Sequence, residues 1–293
     1  MVIVISQEGQ LANRIWQISA YIINAKKNGY KFYHLFFDEY IEYFSENISD
    51  EKDFPVRFIK KGILKKSILK LYAFLDKKNM LNSAWFSGIV YYDTYKNGRI
   101  IFDLNQEDFI QRAKSKILFL KGWYFGDDLN NIKSRKYLQK IWTPNESIRV
   151  KINSKLTEIR KTAEIVIGVH IRRGDYRQFN GGIWYYEDEV YRNFLLNIQS
   201  FPELKDRRIS FLICSHGLID EKNFPGLHVI TESRHFMEDL YLLSGSDYII
   251  GPPSTYSMWA SYYGEKPLLQ IVNKNQTIHL SDFKTVDSFP INF

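Results

Sequence analysis

Short apolar runs alternate with amphipathic segments along the first half of the chain. The run "VIVIS" at residues 2–6 predicts a strand, apolar periodicity from Ile15 to Lys27 predicts a helix, and "GYKFYHLFF" predicts a second strand. Residues 55–80 are predicted to be helical and basic, and "RIIFDL" and "KILFLKGWYF" are predicted to be strands. The chain therefore opens as a βαβ unit.

The alternation continues in the second half, after a polar amphipathic helix predicted from Glu146 to Lys161. Strands are predicted at 165–171, 209–215, 227–230, 248–251 and 267–272, and helices at 187–199, 236–245 and 255–263. This order indicates an α/β fold with a doubly wound parallel sheet in each half. We place the boundary near residue 160, which gives domains 1–160 and 161–293. Two such domains facing each other would hold a ligand in the cleft at the carboxyl ends of their strands.

Composition and charge narrow the class of protein. Hydrophobic residues make up 45% and charged residues 25%, as in globular proteins, while aromatic residues reach 16%. The net charge of +7 favours an anionic partner, such as nucleotide phosphates, an acidic membrane surface or nucleic acid. The single cysteine, Cys214, lies in an apolar run, which predicts an inert core thiol and excludes an intramolecular disulfide. No signal peptide or membrane-spanning run is recognisable, so we expect a cytoplasmic protein.

In the stretch "GVHIRRGDY" at residues 168–176, charged residues directly follow a predicted buried strand. Side chains alternate along a strand, so His170 and Arg172 should project together at its carboxyl end, and Arg173 should point the other way. Ligands bind at this edge of a parallel sheet, and a guanidinium can meet a phosphate with two parallel hydrogen bonds. The alternative is a structural salt bridge from either arginine to Asp175 or Glu187.

Three other segments carry weaker signals for the same edge. In "GPPSTYSMW", Ser254 or Thr255 can cap a helix whose free N–H groups attract phosphate, although a plain helix cap is the simpler interpretation. In "EGQLANR", Gly9 permits an unusual backbone angle and Asn13 begins the first helix. Asp239 lies near the start of another helix, where pairing with the helix dipole is the simpler role.

These residues together resemble the α-1,2-fucosyltransferase family and its relatives. "GVHIRRGDY" resembles the family's H-x-R-R-G-D-Y element, and "GQLANRIWQISAY" its amino-terminal element. "LKGWYFGDDLN", "FLICSHG" and "MEDLYLLSGSDYIIGPPSTYSMWASYYG" resemble three more elements in the same order. The likeness covers roughly residues 1 to 270, and the five elements in order make it specific.

The resemblance implies a GT-B architecture, with two Rossmann-like domains and GDP-fucose held mainly by the second. It implies an inverting, metal-independent transfer of fucose to a sugar hydroxyl, most simply in an α-1,2 linkage. The implied catalytic residues are Arg172 and His170, with Arg172 contacting the donor diphosphate and His170 beside it. The implied donor-binding residues are Gly9, Asn13, Arg173, Asp175, Asp239, Ser254, Thr255 and Tyr256. No cofactor is expected, and Arg172 with helix-end N–H groups would stabilise the charge left on GDP.

Because the sequence departs from the family pattern, it does not determine the identity of the donor sugar or of the general base. The Asp-Asp pair of the family is His216-Gly217 here, Asn-Ser-Ser-Phe is Pro-Ser-Thr-Tyr, and Gly and Gln of the first loop are Ala12 and Arg14. Another GDP-sugar donor therefore stays an alternative, as does a non-catalytic glycan-binding protein. A nucleic-acid-binding module has only the net charge in its favour. The sequence does not identify a general base.

Residues 57–78, "RFIKKGILKKSILKLYAFLDKK", combine eight Lys or Arg residues with one acidic residue. Ile63, Leu64, Ile68, Leu71, Tyr72 and Leu75 are predicted to line one side of a helix with the lysines opposite. Such a helix can lie on an anionic membrane, which would place the enzyme near a lipid-linked glycan acceptor. The alternative is a helix that packs its apolar side on the first domain.

Overall fold

The computed structural model describes residues 1–91, 102–122, 125–126, 132–232 and 234–287. Contacts divide these residues into two compact units, Met1–Asn145 and Glu146–Asp287. The division falls before the helix Glu146–Arg160, whereas the sequence placed it near residue 160. This helix packs on the second unit: Arg160 donates to Asp247 at 2.9 and 3.1 Å, and Asp247 accepts from the backbone N–H of Val166 at 2.8 Å.

The described residues of the first unit form a five-stranded parallel sheet in the order β3-β2-β1-β6-β4. Its strands are β1 (Val2–Val4), β2 (Phe32–His34), β3 (Val56–Phe58), β4 (Phe86–Tyr91) and β6 (Ile117–Gly122). A separate parallel pair joins β5 (Phe102–Asp103) and β7 (Phe125–Gly126). The helices are α1 (Leu11–Asn28), α2 (Ser45–Ser49), α3 (Ile63–Lys77), α4 (Glu107–Ser115) and α5 (Ile132–Ile141).

Two sequence predictions for the first unit need correction. Residues 55–80 are not helical throughout, because Val56–Phe58 pairs with β2 as an edge strand and the helix begins only at Ile63. The predicted strand "KILFLKGWYF" is divided between β6 and β7, which belong to different sheets. The predictions that fall on residues 99–101 and 123–124 lie outside the described residues, as does most of the "GWYFGDDLN" element.

The second unit contains a six-stranded sheet in the order β10-β9-β8-β11-β12-β13, as far as the chain is described. The strands are β8 (Ile165–Ile171), β9 (Ile209–Ser215), β10 (Val229–Ile230), β11 (Tyr248–Gly251), β12 (Pro267–Gln270) and β13 (Lys284–Thr285). Neighbours from β10 to β12 pair in parallel, and β13 runs antiparallel at the edge. The helices are α6 (Glu146–Arg160), α7 (Asp188–Gln199), α8 (Phe236–Gly245) and α9 (Thr255–Gly264).

Strand β8 lies at the centre of this sheet and is buried along its whole length. Ile165, Ile167, Val169 and Ile171 face a core that includes Tyr191 and Leu195 of α7. Burying each such aliphatic side chain stabilises the fold by about 1.5–3 kcal/mol. Gly168 faces the other side, where an added Cβ would lie 2.7 Å from Leu243 of α8. The alternation therefore places His170 on the side of the sheet that carries α8.

Candidate active site

The order of the strands in the second unit identifies one edge as a binding site. Numbered from β8, the order is 3-2-1-4-5-6, the order of a doubly wound dinucleotide-binding sheet. The chain leaves β8 towards β9 on one side and later returns to β11 on the other side. In such sheets ligands bind outside the carboxyl ends of the strands at this switch point. The loops at this point follow Ile171 and Gly251.

His170 lies at the carboxyl end of β8, with only 4% of its surface exposed. Its ring packs against the ring of Tyr256 in α9, with centroids 4.9 Å apart. Burial, and next the charge of Arg172, lower the pKa of His170 well below its ordinary value. The imidazole is therefore neutral near pH 7. Its Nδ1 is buried and has no hydrogen-bond partner among the described residues.

Arg172 lies just beyond β8 and is partly covered, with 20% of its side chain exposed. Its Nη2 donates to both carboxylate oxygens of Asp175 at 3.0 Å, and its guanidinium carbon lies 4.7 Å from the ring centroid of Tyr176. Within the described part of the chain its buried Nε has no partner. The salt bridge to Asp175 is therefore present, and it leaves the Nε donor available to a ligand.

Arg173 turns away from Arg172, as strand alternation predicts. It donates to the backbone carbonyl of Tyr186 and pairs with Asp188, at the start of α7. The partner is Asp188 rather than Asp175 or Glu187. The structure thus gives Arg173, which the resemblance counted as donor-binding, an anchoring contact to α7.

The turn between β11 and α9 is fixed to the loop after β8. The phenol of Tyr176 donates to the carbonyl of Pro253 at 2.6 Å. Ser254 is buried and caps α9, since its Oγ accepts from the backbone N–H of Tyr256 at 3.3 Å. Thr255 and Tyr256 are half-buried in the first turn. The N–H groups at the start of α9 therefore lie at the same edge as His170 and Arg172.

Gly251 permits the close approach of β11 to His170. A Cβ at residue 251 would lie 2.6 Å from the carbonyl oxygen and 2.9 Å from the Cβ of His170. Real Cβ atoms do not approach this closely, so a larger residue would push the two strands apart.

Asp239, in the first turn of α8, takes part in a buried ion pair that the sequence did not predict. Arg234 Nε donates to Asp239 at 2.9 Å, and the two side chains are 6% and 9% exposed. Arg234 Nη2 also donates to the carbonyl of Ile213 in β9 at 2.5 Å. Burial raises the pKa of Asp239 to about 6, and the charge of Arg234 limits the rise. Arg234 fixes α8 to the end of β9, which makes it part of the same edge.

Cys214 and Ser215 end β9 beside this pair. Burial raises the pKa of the Cys214 thiol well above its ordinary value, in keeping with the predicted inert thiol. Ser215 is the register partner of Ile171, and its Oγ is buried with no described partner. His216 is exposed, and Gly217 has a φ of +118°. The sequence contains no signal for a role of Ser215.

Four buried polar atoms at this edge thus lack hydrogen bonds to any described residue: His170 Nδ1, Arg172 Nε, Ser215 Oγ and Arg234 Nη1. Of these, Arg234 Nη1 has an ion-pair contact, at 4.0 Å from a carboxylate oxygen of Glu232. Buried polar groups are nearly always paired in native proteins, so each exception calls for a partner. The four lie on or next to the carboxyl ends of the neighbouring strands β8 and β9. This clustering is typical of a site that receives a polar ligand.

The first unit holds the remaining predicted residues, Gly9 and Asn13. Gly9 has a φ of +56°, a left-handed conformation that favours glycine, and an added Cβ would lie 2.1 Å from the Asn13 amide nitrogen. Arg14 Nε and Nη2 donate to the Gly9 carbonyl at 3.0 and 2.8 Å, and Nη1 donates to the carbonyl of Phe36 at 2.8 Å. Arg14, which replaces the family's Gln, therefore fixes the loop between β1 and α1.

Neither a metal-ligand cluster nor a spanning helix occurs in the part of the chain that the structure describes. No group of three or more His, Cys, Asp or Glu side chains is placed to hold a metal ion there. Within the same residues, the helices are too short or too polar to cross a bilayer.

A family model described as "Glycosyl transferase family 11" matches residues 91–290, more than half of the chain. The chain belongs to glycosyl transferase family 11. This confirms the resemblance to the α-1,2-fucosyltransferase family that the motifs indicated. The match covers all the second-unit motifs of this family 11 member, whereas "GQLANRIWQISAY" lies before it. A comparison with curated proteins gave no match.

Solved structures share the fold of this family 11 member at low sequence identity. FUT1 from Arabidopsis thaliana, a mutant in complex with GDP, aligns with a TM-score of 0.59 and 14% identity over 91% of this chain and 69% of that chain. The fucosyltransferase NodZ from Bradyrhizobium aligns with a TM-score of 0.55 and 12% identity over 92% and 94%. POFUT1 in complex with GDP-fucose aligns with a TM-score of 0.53 and 11% identity over 90% and 94%. These likenesses confirm the predicted α/β fold with two Rossmann-like units, as in GT-B glycosyltransferases.

Proposed function

We propose that this family 11 member transfers L-fucose from GDP-fucose to a sugar hydroxyl of a glycan acceptor, with inversion and in an α-1,2 linkage. The observation that carries the proposal is the cluster of four buried polar atoms, at the switch point of the second unit, that make no hydrogen bond to a described residue. Family membership and the structures of fucosyltransferases with GDP or GDP-fucose support the choice of donor.

In the proposed step, the acceptor hydroxyl oxygen bonds to C1 of fucose and loses its proton to a base. The bond between C1 and the diphosphate oxygen breaks, and its electron pair leaves with GDP. Negative charge therefore grows on the diphosphate in the transition state. Arg172 supports this step because its free Nε and planar guanidinium can meet that charge, while Asp175 orients it from the other side.

We assign the other site residues to binding and positioning. The N–H groups at the start of α9, next to Ser254, Thr255 and Tyr256, would hold a phosphate. The neutral His170 would position Tyr256 and Arg172 without adding charge. Asp239, oriented by Arg234, would accept hydrogen bonds from the nucleoside. Gly9 and Asn13 are retained as proposed donor-binding residues.

We propose that the reaction needs neither a cofactor nor a metal ion, because Arg172 and the α9 amino end supply positive charge where the leaving group would lie. The acceptor would be an oligosaccharide or a lipid-linked glycan in the cytoplasm, and nucleic acid would not be a substrate. A second candidate is transfer from another GDP-sugar. It is favoured by His216-Gly217, which replaces the acidic pair of the family at the end of β9.

A panel of GDP- and UDP-sugars tests the donor, with hydrolysis and transfer followed by mass spectrometry. We expect turnover with GDP-fucose and none with UDP-sugars, and nuclear magnetic resonance of the product should give an α-1,2 linkage. Turnover with a different GDP-sugar alone would favour the second candidate. Glycan binding without turnover of any donor would indicate a non-catalytic glycan-binding protein.

A further inference from the structure

The net positive charge of the chain is concentrated in one surface segment, from Arg57 to Trp85. Of the 40 basic and 33 acidic residues of the chain, eight basic residues and one acidic residue lie in this segment. The rest of the chain therefore has 32 of each, and no net charge. The segment contains α3 and the residues up to the start of β4. Electrostatic attraction would therefore draw an anionic partner to this segment.

Helix α3 has two apolar sides. Ile68, Leu69, Tyr72 and Leu75 pack on the first sheet, against a core that includes Ile3, Ile5, Leu35 and Phe119. The sequence had placed Ile63, Leu64 and Leu71 on this same side. The structure instead leaves them exposed together with Phe74, with exposed fractions of 85% for Ile63, 59% for Leu64, 41% for Leu71 and 55% for Phe74. We call these four residues the apolar ridge.

The four ridge residues share one side of the helix, which also carries Ser67. At about 100° per residue, Ile63, Leu64, Leu71 and Phe74 fall within roughly a quarter to a third of a turn. Lys66, Lys70 and Lys77 are exposed and lie along one border of the ridge. Packing of the opposite side on the sheet therefore leaves the ridge exposed over 41–85% of each side chain, although apolar residues grouped in this way are normally covered.

Lys65 differs from these lysines. It pairs with Asp38 at 3.5 Å, lies 4.2 Å from the ring centroid of Phe36, and its side chain is mostly buried. It anchors α3 to the loop after β2. The lysines available to a partner are therefore the exposed ones, and Lys65 is not among them.

We propose that the apolar ridge docks on an anionic lipid bilayer, with Lys66, Lys70 and Lys77 contacting the headgroups. An exposed apolar side bordered by lysines matches the boundary between acyl chains and acidic headgroups. A second copy of the chain would bring two surfaces of the same positive sign together, which opposes association. Nucleic acid would engage the lysines and leave the ridge in water. The proposal does not depend on which sugar the enzyme transfers.

Vesicle co-sedimentation tests the proposal with the whole chain. The probes are vesicles of phosphatidylcholine alone and vesicles of phosphatidylcholine mixed with phosphatidylglycerol. We expect binding only to the mixed vesicles, and loss of binding at high salt, because salt screens exposed charges. Replacing Lys66, Lys70 and Lys77 with Gln should weaken binding by at least about tenfold. Leu71→Ser with Phe74→Ser should weaken it by at least about tenfold as well.

Matched control variants distinguish binding through the apolar ridge from nonspecific binding through positive charge or exposed apolar side chains elsewhere. Lys205, Lys222 and Lys274 are exposed in the second unit, and replacing them with Gln removes the same charge. Ile132→Ser with Val150→Ser removes two other exposed apolar side chains. Both control variants should bind mixed vesicles like the wild type. All variants should keep the wild-type melting temperature, since the replaced residues are exposed.

Three results would overturn the proposal. The first is wild-type protein that stays in the supernatant with mixed vesicles at low salt. The second is an equal loss of binding in the ridge variants and the control variants. The third is a dimer in light scattering that the Phe74→Ser variant dissociates, together with no vesicle binding. Donor turnover with a water-soluble acceptor, measured in parallel, would show separately whether the proposed reaction fails.

Discussion

Arg172 donates from Nη2 to both carboxylate oxygens of Asp175 at 3.0 Å, while its buried Nε has no partner among the described residues. The guanidinium is thus oriented on one side and free on another. A transition-state donor works best when it is already oriented before charge develops. The pair therefore accounts for a strand-end arginine that is both salt-bridged and available to a ligand.

Asp175→Asn should lower turnover of GDP-fucose by about tenfold, since Arg172 would lose a charged acceptor and part of its orientation. Asp175 is mostly exposed, so the melting temperature should hardly change. Steady-state kinetics should show the loss in kcat more than in KM. A rise in turnover would mean that Asp175 masks Arg172 instead of orienting it.

Donor affinity should depend on the protonation of Asp239, whose pKa is raised to about 6. The carboxyl group is ionised above this pH and neutral below it. If the ionised group accepts hydrogen bonds from the nucleoside, affinity for GDP-fucose should be highest above about pH 7 and fall as the pH drops through 6.

Calorimetric titration from acidic to neutral pH measures this dependence. The ligand should be GDP-fucose rather than GDP. The terminal phosphate of GDP has a pKa of about 6, so its own titration would obscure that of Asp239. Asp239→Asn should bind more weakly, with an affinity that hardly changes over this range. If the affinity of the wild type and that of the variant change with pH in the same way, Asp239 does not have the assigned role in binding the nucleoside.

Gly251→Ala should destabilise the second unit and disturb its active site. The added Cβ would meet the His170 carbonyl oxygen at 2.6 Å, and overpacking of this kind costs about 1–3 kcal/mol. Calorimetry should show a lower melting temperature, and turnover should fall as His170 shifts. Gly62→Ala is the control, because its backbone is extended and no described atom lies within 4 Å of an added Cβ. Equal melting temperatures for the two variants would contradict the packing argument.

Activity should persist in EDTA, because Arg172 and the start of α9 are assigned the charge stabilisation that a metal ion supplies in other transferases. The check is a turnover assay with and without EDTA, followed by addition of magnesium or manganese. Loss of activity in EDTA and its return with either ion would overturn this part of the mechanism.

The second unit was predicted well because its strands are continuous apolar runs with polar ends. Strands 165–171, 209–215 and 248–251 and helix 236–245 have the predicted bounds. The first unit gave weaker signals. Helix α4 buries only Phe109 and Ala113, and β3 is a three-residue edge strand whose side chains are partly exposed, so neither produces a clear periodicity. Strand β4 and helix α5 were also missed.

The candidate site was predicted only as far as residues adjoin a recognisable strand or helix. His170 lies at the end of a buried run, and Arg172 and Ser254 closely follow such runs, so their position at the sheet edge could be inferred from spacing. Arg234 lies in a polar loop, and its role depends on contacts with Asp239 and Ile213 that only the fold creates. A basic residue just before a helix that starts with acidic residues was the one available signal.

The most direct test of the account is the turnover of GDP-fucose by Arg172→Lys. Lysine keeps the charge but loses the planar, two-pronged contact, so turnover should fall by at least about 100-fold. Arg173→Lys is the matched control and should be milder, because Arg173 contacts Tyr186 and Asp188 rather than the proposed donor site. Melting temperatures would show that both variants fold. A folded Arg172→Lys enzyme with turnover close to that of the wild type would contradict the account.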